Sequence, residues 1–366
     1  MGFRELMHRV LARQAEGIVA VPVLSADPVD AATPVTRFVP DEVYLEVRIH
    51  QLWLTNEREL WREYQPFGTV VTEFLRRGER VAVPSVLGSA ELSRRLNVVS
   101  GDDAVEFGNI RVAGPVPYEG DDVSLLLALF RTRTSDWLAR SFTLVEDVAS
   151  AVGFGGLAAA APLAASLVRG LDSFLDVDEV ELRVGAYCSW SSPSGPDGLA
   201  RSATELAPMH YAVLRRPRVG AGAAAAAELA ALRVRDGKLC RLTADGSLVP
   251  YNQHDFILIG VEARRFREDY RRLEFYRLWE QTRRHVVDGD LGVARRLWRQ
   301  TAGAIFTDDL TRPQQQALHA EYERLFTELV DRFAGYGTST HRSLGPSTPG
   351  SDHEDDPETL LRKAFG

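Results

Sequence analysis

The hydrophobic period of this 366-residue chain changes near Glu262. Before that residue, several runs alternate apolar and polar side chains. In VYLEVRIHQLW, which begins at Val43, the polar positions are Glu46, Arg48 and His50. A period of two predicts a half-buried β-strand, with one face in a core. Beyond Glu262 the apolar residues recur at helical spacing, so the chain is predicted to place a β-rich region before an all-α region.

Other strands of the β-rich region are predicted from short apolar or alternating runs bounded by turn residues. The uninterrupted run from Val123 to Phe130 indicates a strand covered on both faces. Asp245-Gly246 is typical of a tight hairpin turn. The periodicity of residues 220–235 does not distinguish a surface loop from a short helix. The runs assigned as strands are TVVTEFL, RVAVP, VSLLLALFRT, VELRV, MHYAVLRR, KLCRL and FILIGV.

The stretch SAVGFGGLAAAAPLAASLVRG, residues 150–170, consists largely of small residues. Its glycines follow a helical pattern that opens at Ser135, which favours a corner between two helices and a helical hairpin over about 135–175. The spacing G-x-G-x-x-G is incomplete and follows no strand, which argues against a nucleotide-binding loop. Val148 to Val168 contain no charge, so conditional insertion of this hairpin into a membrane stays open as an alternative.

Three helices are predicted after the last strand, at about 267–287, 290–306 and 312–334, with Thr311 as the cap of the third. Residues 335–366 are rich in Gly, Ser, Thr and Pro and then acidic, which predicts disorder with a terminal helical turn, LLRKAF. The domains are expected at 1–40 (N-terminal helix and linker), 41–262, 263–334 and 335–366. The predicted class is α+β: a mainly antiparallel, sandwich-like domain with an inserted helical hairpin, then a small all-α domain and a disordered tail.

Composition narrows the classes of function. The formal net charge of −8 argues against nucleic-acid binding, which requires a basic face. Cys188 and Cys240 are the two cysteines of the sequence, too few for a disulfide framework, and the first residues carry charges throughout. We therefore expect a cytoplasmic protein.

Candidate chemistry is sparse. Cys188, in GAYCSW, is a possible nucleophile for a cysteine-dependent hydrolase with His210 or His254 as its partner, although a strand cysteine is more often buried and inert. The eight histidines are scattered and H-E-x-x-H is absent. Acidic turns at 101–103, 119–122 and 176–179 have the carboxylates that calcium prefers, but solvated turns are the commoner interpretation. We predict no metal and no cofactor.

The phrases GPVPYEGDDVSLLLALF, GLDSFLDVDEVELRVGAY, DGKL and DFILIGVEARRFREDY together resemble an uncharacterised family of bacterial proteins associated with conflict and defence gene clusters. The resemblance covers about residues 105–310. It implies antiviral defence and partners such as a protease or an NTPase. Its motifs are structural, so no functional residue is carried over. After the last strand this chain has Glu268-Asp269-Tyr270, where the family has aspartate and tryptophan.

The function predicted from these observations is a non-enzymatic protein-interaction component, an adaptor or effector subunit of a multi-protein bacterial system. Leu360, Leu361 and Phe365 of the tail are predicted to enter a groove on a partner protein. Two alternatives stay open. One is a latent membrane-active effector, released by proteolysis or partner binding. The other is the cysteine-dependent hydrolase.

Overall fold

The computed structural model describes residues 18–25, 37–54, 65–87, 97–98, 105–132, 180–195, 205–215 and 223–334. The chain divides into two compact units, one with residues 1–40 and 45–263 and one with residues 41–44 and 264–366. Antiparallel sheets in the first and helices in the second confirm the predicted α+β class. The predicted helical hairpin at 135–175 and the tail at 335–366 lie outside the described residues.

Two sheets make up the first unit. The larger has the strand order β12-β11-β10-β1-β9-β13-β2-β6-β5, and the smaller has the order β4-β3-β7-β8. The strands are β1 (Ile18–Ser25), β2 (Tyr44–Leu54), β3 (Gln65–Arg76), β4 (Glu79–Leu87), β5 (Asn97–Val98), β6 (Val105–Pro117), β7 (Val123–Thr132), β8 (Val180–Trp190), β9 (Met209–Arg215), β10 (Leu232–Arg235), β11 (Lys238–Leu242), β12 (Leu248–Pro250) and β13 (Phe256–Arg264).

The two sheets pack face to face. Trp190 of β8 lies against Tyr211 of β9, with ring centroids 4.7 Å apart. At another point the Ser85 hydroxyl of β4 donates to the Val112 carbonyl of β6 at 2.6 Å. Strand β7 lies inside the smaller sheet, and its residues from Val123 to Leu129 are buried. The prediction that this run is covered on both faces is confirmed from Val123 to Leu129.

One segment differs from the sequence interpretation. Residues 18–25, assigned to a linker within 1–40, form β1, which pairs antiparallel with β9 and parallel with β10. The run that forms this strand contains Pro22, and a proline within an apolar run argues against a central strand. The pairing partners lie about 200 residues away in the sequence, where no local pattern reveals them.

Strand β2 has the predicted alternation but not the predicted half-burial. Glu46, on its polar face, has a side chain only 1% exposed. It pairs with Arg48 on the same strand and accepts a hydrogen bond from Arg111 Nε of β6 at 3.2 Å. Buried carboxylates persist when cations neutralise them. The polar face of β2 is therefore a covered, charge-paired face.

Besides the contacts between the two sheets, the larger sheet has an apolar core on one of its faces, named here the second apolar core. Within the undecided stretch at 220–235, the described residues form helix α1 (Ala223–Ala230) and then β10. Leu229 of α1 packs on this core, and the β11–β12 hairpin turns at Gly246, whose φ is +82°. The buried members are Trp53, Ala212, Leu214, Leu232, Val234, Leu239, Tyr251, Phe256 and Leu258.

The second unit contains α2 (Glu274–Val287), α3 (Leu291–Ile305) and α4 (Arg312–Ala334), preceded by a 3-10 helix at Glu268–Arg272. These bounds lie close to the three predicted helices. Asp290 caps α3 by accepting from the Val293 backbone at 3.1 Å. The core is aromatic, with buried members Tyr44, Tyr270, Phe275, Trp279, Ile305, Leu310, Leu318 and Tyr322.

The start of α4 is held differently from the prediction. The Thr311 hydroxyl is buried and forms no hydrogen bond within the described part of the chain, so it does not cap the helix. The Thr311 backbone N–H instead donates to the Tyr44 hydroxyl at 2.9 Å, and that hydroxyl donates to Gln314 Oε1 at 2.6 Å. Burial raises the pKa of Tyr44 to about 12. A neutral, buried tyrosine is therefore hydrogen-bonded to the residue that precedes α4 and to Gln314 in its first turn.

Candidate functional sites

Three titratable side chains meet on one face of the larger sheet: His50 of β2, His210 of β9 and Glu262 of β13. His50 Nε2 lies 2.8 Å from Glu262 Oε1, and the two imidazole rings are 4.7 Å apart in an edge-to-face arrangement. The His50 and Glu262 side chains are 19% and 23% exposed. The three side chains are named here the histidine cluster. The cluster is thus partly buried but remains accessible to solvent.

The strand register explains why these residues meet. Phe256 pairs with Leu214, Leu258 with Ala212 and Gly260 with His210, so each pair shares a face of the sheet. The first two pairs belong to the second apolar core, and the third begins the histidine cluster. Gly260 and His210 are therefore the next same-face pair along β13 and β9 after the two apolar pairs. This register places the histidine cluster at the edge of that core.

Gly260 provides the space for the His50 ring. A Cβ atom at this position would lie closer than 3.0 Å to His50 Nε2. On the other side, a Cβ at Gly237, in the β10–β11 turn, would lie 3.2 Å from His50 Nδ1. Glycine in a strand often marks such a close approach. The His50 ring thus lies over β13 with the turn of the next hairpin beside it.

The two histidines of the cluster differ in their surroundings. Burial, followed by the neighbouring His50 imidazole, lowers the pKa of His210 from 6.5 to about 4, against the opposing effect of the Glu262 carboxylate. His210 is consequently neutral near pH 7, while Glu262 is positioned to orient the His50 ring. His210 accepts a proton only as the pH falls towards 4. Within the described ranges, no three His, Cys, Asp or Glu side chains are grouped so as to hold a metal ion.

Gly260→Ala is the most direct test of this packing. The added methyl group displaces the His50 ring and breaks its hydrogen bond to Glu262, so we expect a loss of about 1–2 kcal/mol in the free energy of unfolding. Urea denaturation followed by circular dichroism measures it. Gly303→Ala is the matched control, because a Cβ there meets nothing within 4 Å and alanine favours the interior of α3. Equal stability of the two variants would contradict the assigned role of Gly260.

The structure does not bring Cys188 and His210 together as a pair. Cys188 and Trp190 share one face of β8, and both influence Tyr211, through an electrostatic effect and a ring contact respectively. His210, the residue before Tyr211, points to the opposite face of β9 and meets His50. Burial also raises the pKa of the Cys188 thiol to about 11. A thiol of this kind is protonated near pH 7 and is a poor nucleophile.

Carboxylates of the acidic turn at 119–122 accept hydrogen bonds from the backbone of neighbouring segments. Glu119 accepts from the backbone of Arg77 at 2.6 Å and of Gly78 at 3.2 Å. Asp122 accepts from the Ser192 backbone at 2.9 Å. These contacts hold the β3–β4 turn and the end of β8. The other two acidic turns, 101–103 and 176–179, lie outside the described residues.

The helical unit presents a different feature, a surface on α3 and α4 that is aromatic and basic. Trp298 stacks on Phe326, with centroids 5.1 Å apart and planes 10° from parallel. Phe306 lies 5.4 Å from His319, and 56% of Phe306 is exposed. We name this the aromatic–arginine surface, and its members are Arg295, Trp298, Arg299, Phe306, His319 and Phe326.

The helical spacing explains which side of Trp298 faces outward. Ala294 and Thr301, at i−4 and i+3, are buried, whereas Arg295 and Arg299 are exposed. Neither arginine forms an ion pair with any residue in the described part of the chain. By contrast, Arg277 and Arg283 of α2 pair with Glu274 and Glu280 at 3.4 and 3.0 Å. This side of α3 thus carries two exposed positive charges that no carboxylate of the described residues neutralises.

Of the predicted site residues, Cys188 and His210 are described, and Leu360, Leu361 and Phe365 lie outside the described residues. The hairpin at 148–175 lies outside them as well. Among the helices that are described, none is both long and apolar enough to cross a membrane. Sequence reasoning missed His50, Glu262 and the aromatic–arginine surface. The isolated glycine in FILIGV and the unpaired arginines beside Trp298 were signals that could have found them.

Comparison with known proteins gave no match to any protein-family model, curated protein or solved structure.

Proposed function

We propose that this chain is a non-enzymatic protein-interaction component, an adaptor or effector subunit of a cytoplasmic multi-protein bacterial system, as the family resemblance implies. The observation that carries the proposal is the exposed Phe306 at the edge of the aromatic–arginine surface. Large aromatic side chains next to arginine are typical of the residues that contribute most to protein–protein binding. A partner that covers Phe306 would remove its apolar area from water.

The chemistry of the surface defines the kind of partner that fits it. The α3 side is basic through Arg295 and Arg299. The α4 side carries Glu323, 62% exposed, whose carboxylate lies 3.8 Å from His319 Nδ1. An amphipathic helix with apolar anchors and acidic residues on its α3-facing side matches this arrangement. A protease or an NTPase subunit of the same system could supply such a helix.

Phe306→Ser tests the proposal. Affinity-tagged full-length chain is used to capture partners from the native host, and the bound proteins are quantified by mass spectrometry. We expect Phe306→Ser to lower the yield of the specific partner at least about tenfold, because loss of a buried aromatic anchor costs about 2 kcal/mol or more. Val287→Ser, at a residue 51% exposed at the end of α2, is the matched control and should retain the partner. Equal recovery by the two variants would reject the surface as the binding site.

A further inference from the structure

We propose that the aromatic–arginine surface is occupied in the resting chain by the chain's own residues 352–365, which a partner must displace. This inference rests on the proposed function, since it names the occupant of the same surface. It identifies the groove for Leu360, Leu361 and Phe365 as one on the same molecule.

Charge complementarity is the first argument. Residues 352–358 read DHEDDPE and carry the carboxylates of Asp352, Glu354, Asp355, Asp356 and Glu358. The side of α3 that they would face carries Arg295 and Arg299, which form no ion pair with the described residues. Opposite charges brought together steer association and set its orientation. The acidic run thus supplies what this side of α3 lacks.

The apolar pattern is the second argument. After the acidic run the sequence is TLLRKAF, in which Leu361 and Phe365 are separated by four residues and would lie on one face of a helix. At that spacing the two side chains lie about 6 Å apart and can together cover the Trp298–Phe326 stack, whose ring centroids are 5.1 Å apart. The intervening Arg362 and Lys363 are cations that suit Glu323 on the α4 side. One short segment therefore complements both the basic and the acidic side of the surface.

The length of chain permits the contact. Helix α4 ends at Ala334, and Phe326 lies about 12 Å before that end at the rise of an α-helix. Residues 335–351 can span up to about 58 Å when extended, several times the distance required. A connection of this length gives an effective concentration of the segment in the millimolar range. Even a weak contact would then be largely formed within one molecule.

The test uses full-length chains throughout, so that no truncation alters the fold. A fluorescein-labelled peptide of residues 350–366 is titrated with the wild-type chain and with the triple variant Leu360→Ser, Leu361→Ser, Phe365→Ser. Fluorescence anisotropy reports binding. We expect the triple variant to bind the peptide at least about tenfold more tightly than the wild-type chain, whose own segment competes.

Charge reversal identifies the binding surface. In the triple variant, Arg295→Glu with Arg299→Glu should weaken peptide binding at least about tenfold, with the effect reduced at about 1 M salt. Arg277→Glu with Arg283→Glu makes the same change of charge on α2 and should leave the affinity unaltered. Circular dichroism of each variant establishes that the helices are intact.

Three outcomes would overturn the inference: absence of peptide binding, equal affinity of the wild-type chain and the triple variant, or no effect of reversing Arg295 and Arg299. Competition that increases with protein concentration would place the segment on a second copy and also reject the intramolecular contact. Failure here is distinguishable from failure of the proposed function. A host partner that depends on Phe306, together with no peptide binding, retains the function and removes this occupant.

Discussion

Replacing Glu46 by glutamine is expected to lower the free energy of unfolding by about 3 kcal/mol, although the substitution changes almost no volume. The side chain is 1% exposed and interacts with two arginines, Arg48 and Arg111. Removing its charge takes a carboxylate partner away from Arg48, which is only 16% exposed and therefore poorly solvated. Loss of one partner from a buried ion pair typically costs about 3–5 kcal/mol, for this reason.

The control for Glu46→Gln is Glu79→Gln on β4, an exposed residue at which the same chemical change should alter stability by less than about 0.5 kcal/mol. Urea denaturation followed by circular dichroism measures both. Adding Arg48→Gln to the Glu46→Gln variant should cost less than the same change in the wild-type chain, since the Glu46–Arg48 ion pair is already lost in that variant. Equal stability of Glu46→Gln and the wild-type chain would show that the ion pair contributes nothing.

Local periodicity predicted the type of the three long helices and of most long strands because it depends on residues a few positions apart, but it did not predict β1, β5, β6 or the 3-10 helix. The helices after Glu262 and the buried run from Val123 to Leu129 are examples. It could not predict what covers each element. The polarity of Glu46 indicated solvent, but an arginine of another strand lies against it. The sequence 18–25 indicated a linker because Pro22 interrupts it, yet the strand pairs with segments about 200 residues away.

The histidine cluster shows the same limit for a site. His50 and His210 are far apart in the sequence, and each is one polar residue on its strand. Only the register, which pairs Gly260 with His210, brings the two rings to one place. The prediction that Cys188 and His210 act together required both to face the same way. The alternation along β9 instead directs Tyr211 towards Cys188 and His210 away from it.

His210 should make the first unit less stable in mild acid. The folded-state pKa of His210, about 4, lies below its ordinary value of 6.5, so the unfolded chain binds the proton more tightly. Stability contributed by the neutral imidazole is therefore complete above about pH 6.5 and is lost as the pH falls towards 4. We expect a loss of about 2 kcal/mol between pH 7.5 and 4.5 from this residue.

The measurement compares urea denaturation of the wild-type chain and His210→Gln at several values between pH 7.5 and 4.5. The variant lacks the titrating imidazole, so its free energy of unfolding should fall less steeply as the pH is lowered. Carboxylates that titrate in the same range affect both chains equally, so the difference between the two curves reports His210 alone. His285→Gln, on α2 in the other unit, should follow the wild-type curve. Parallel curves for the wild-type chain and His210→Gln would mean that the buried imidazole takes up its proton without cost to the fold.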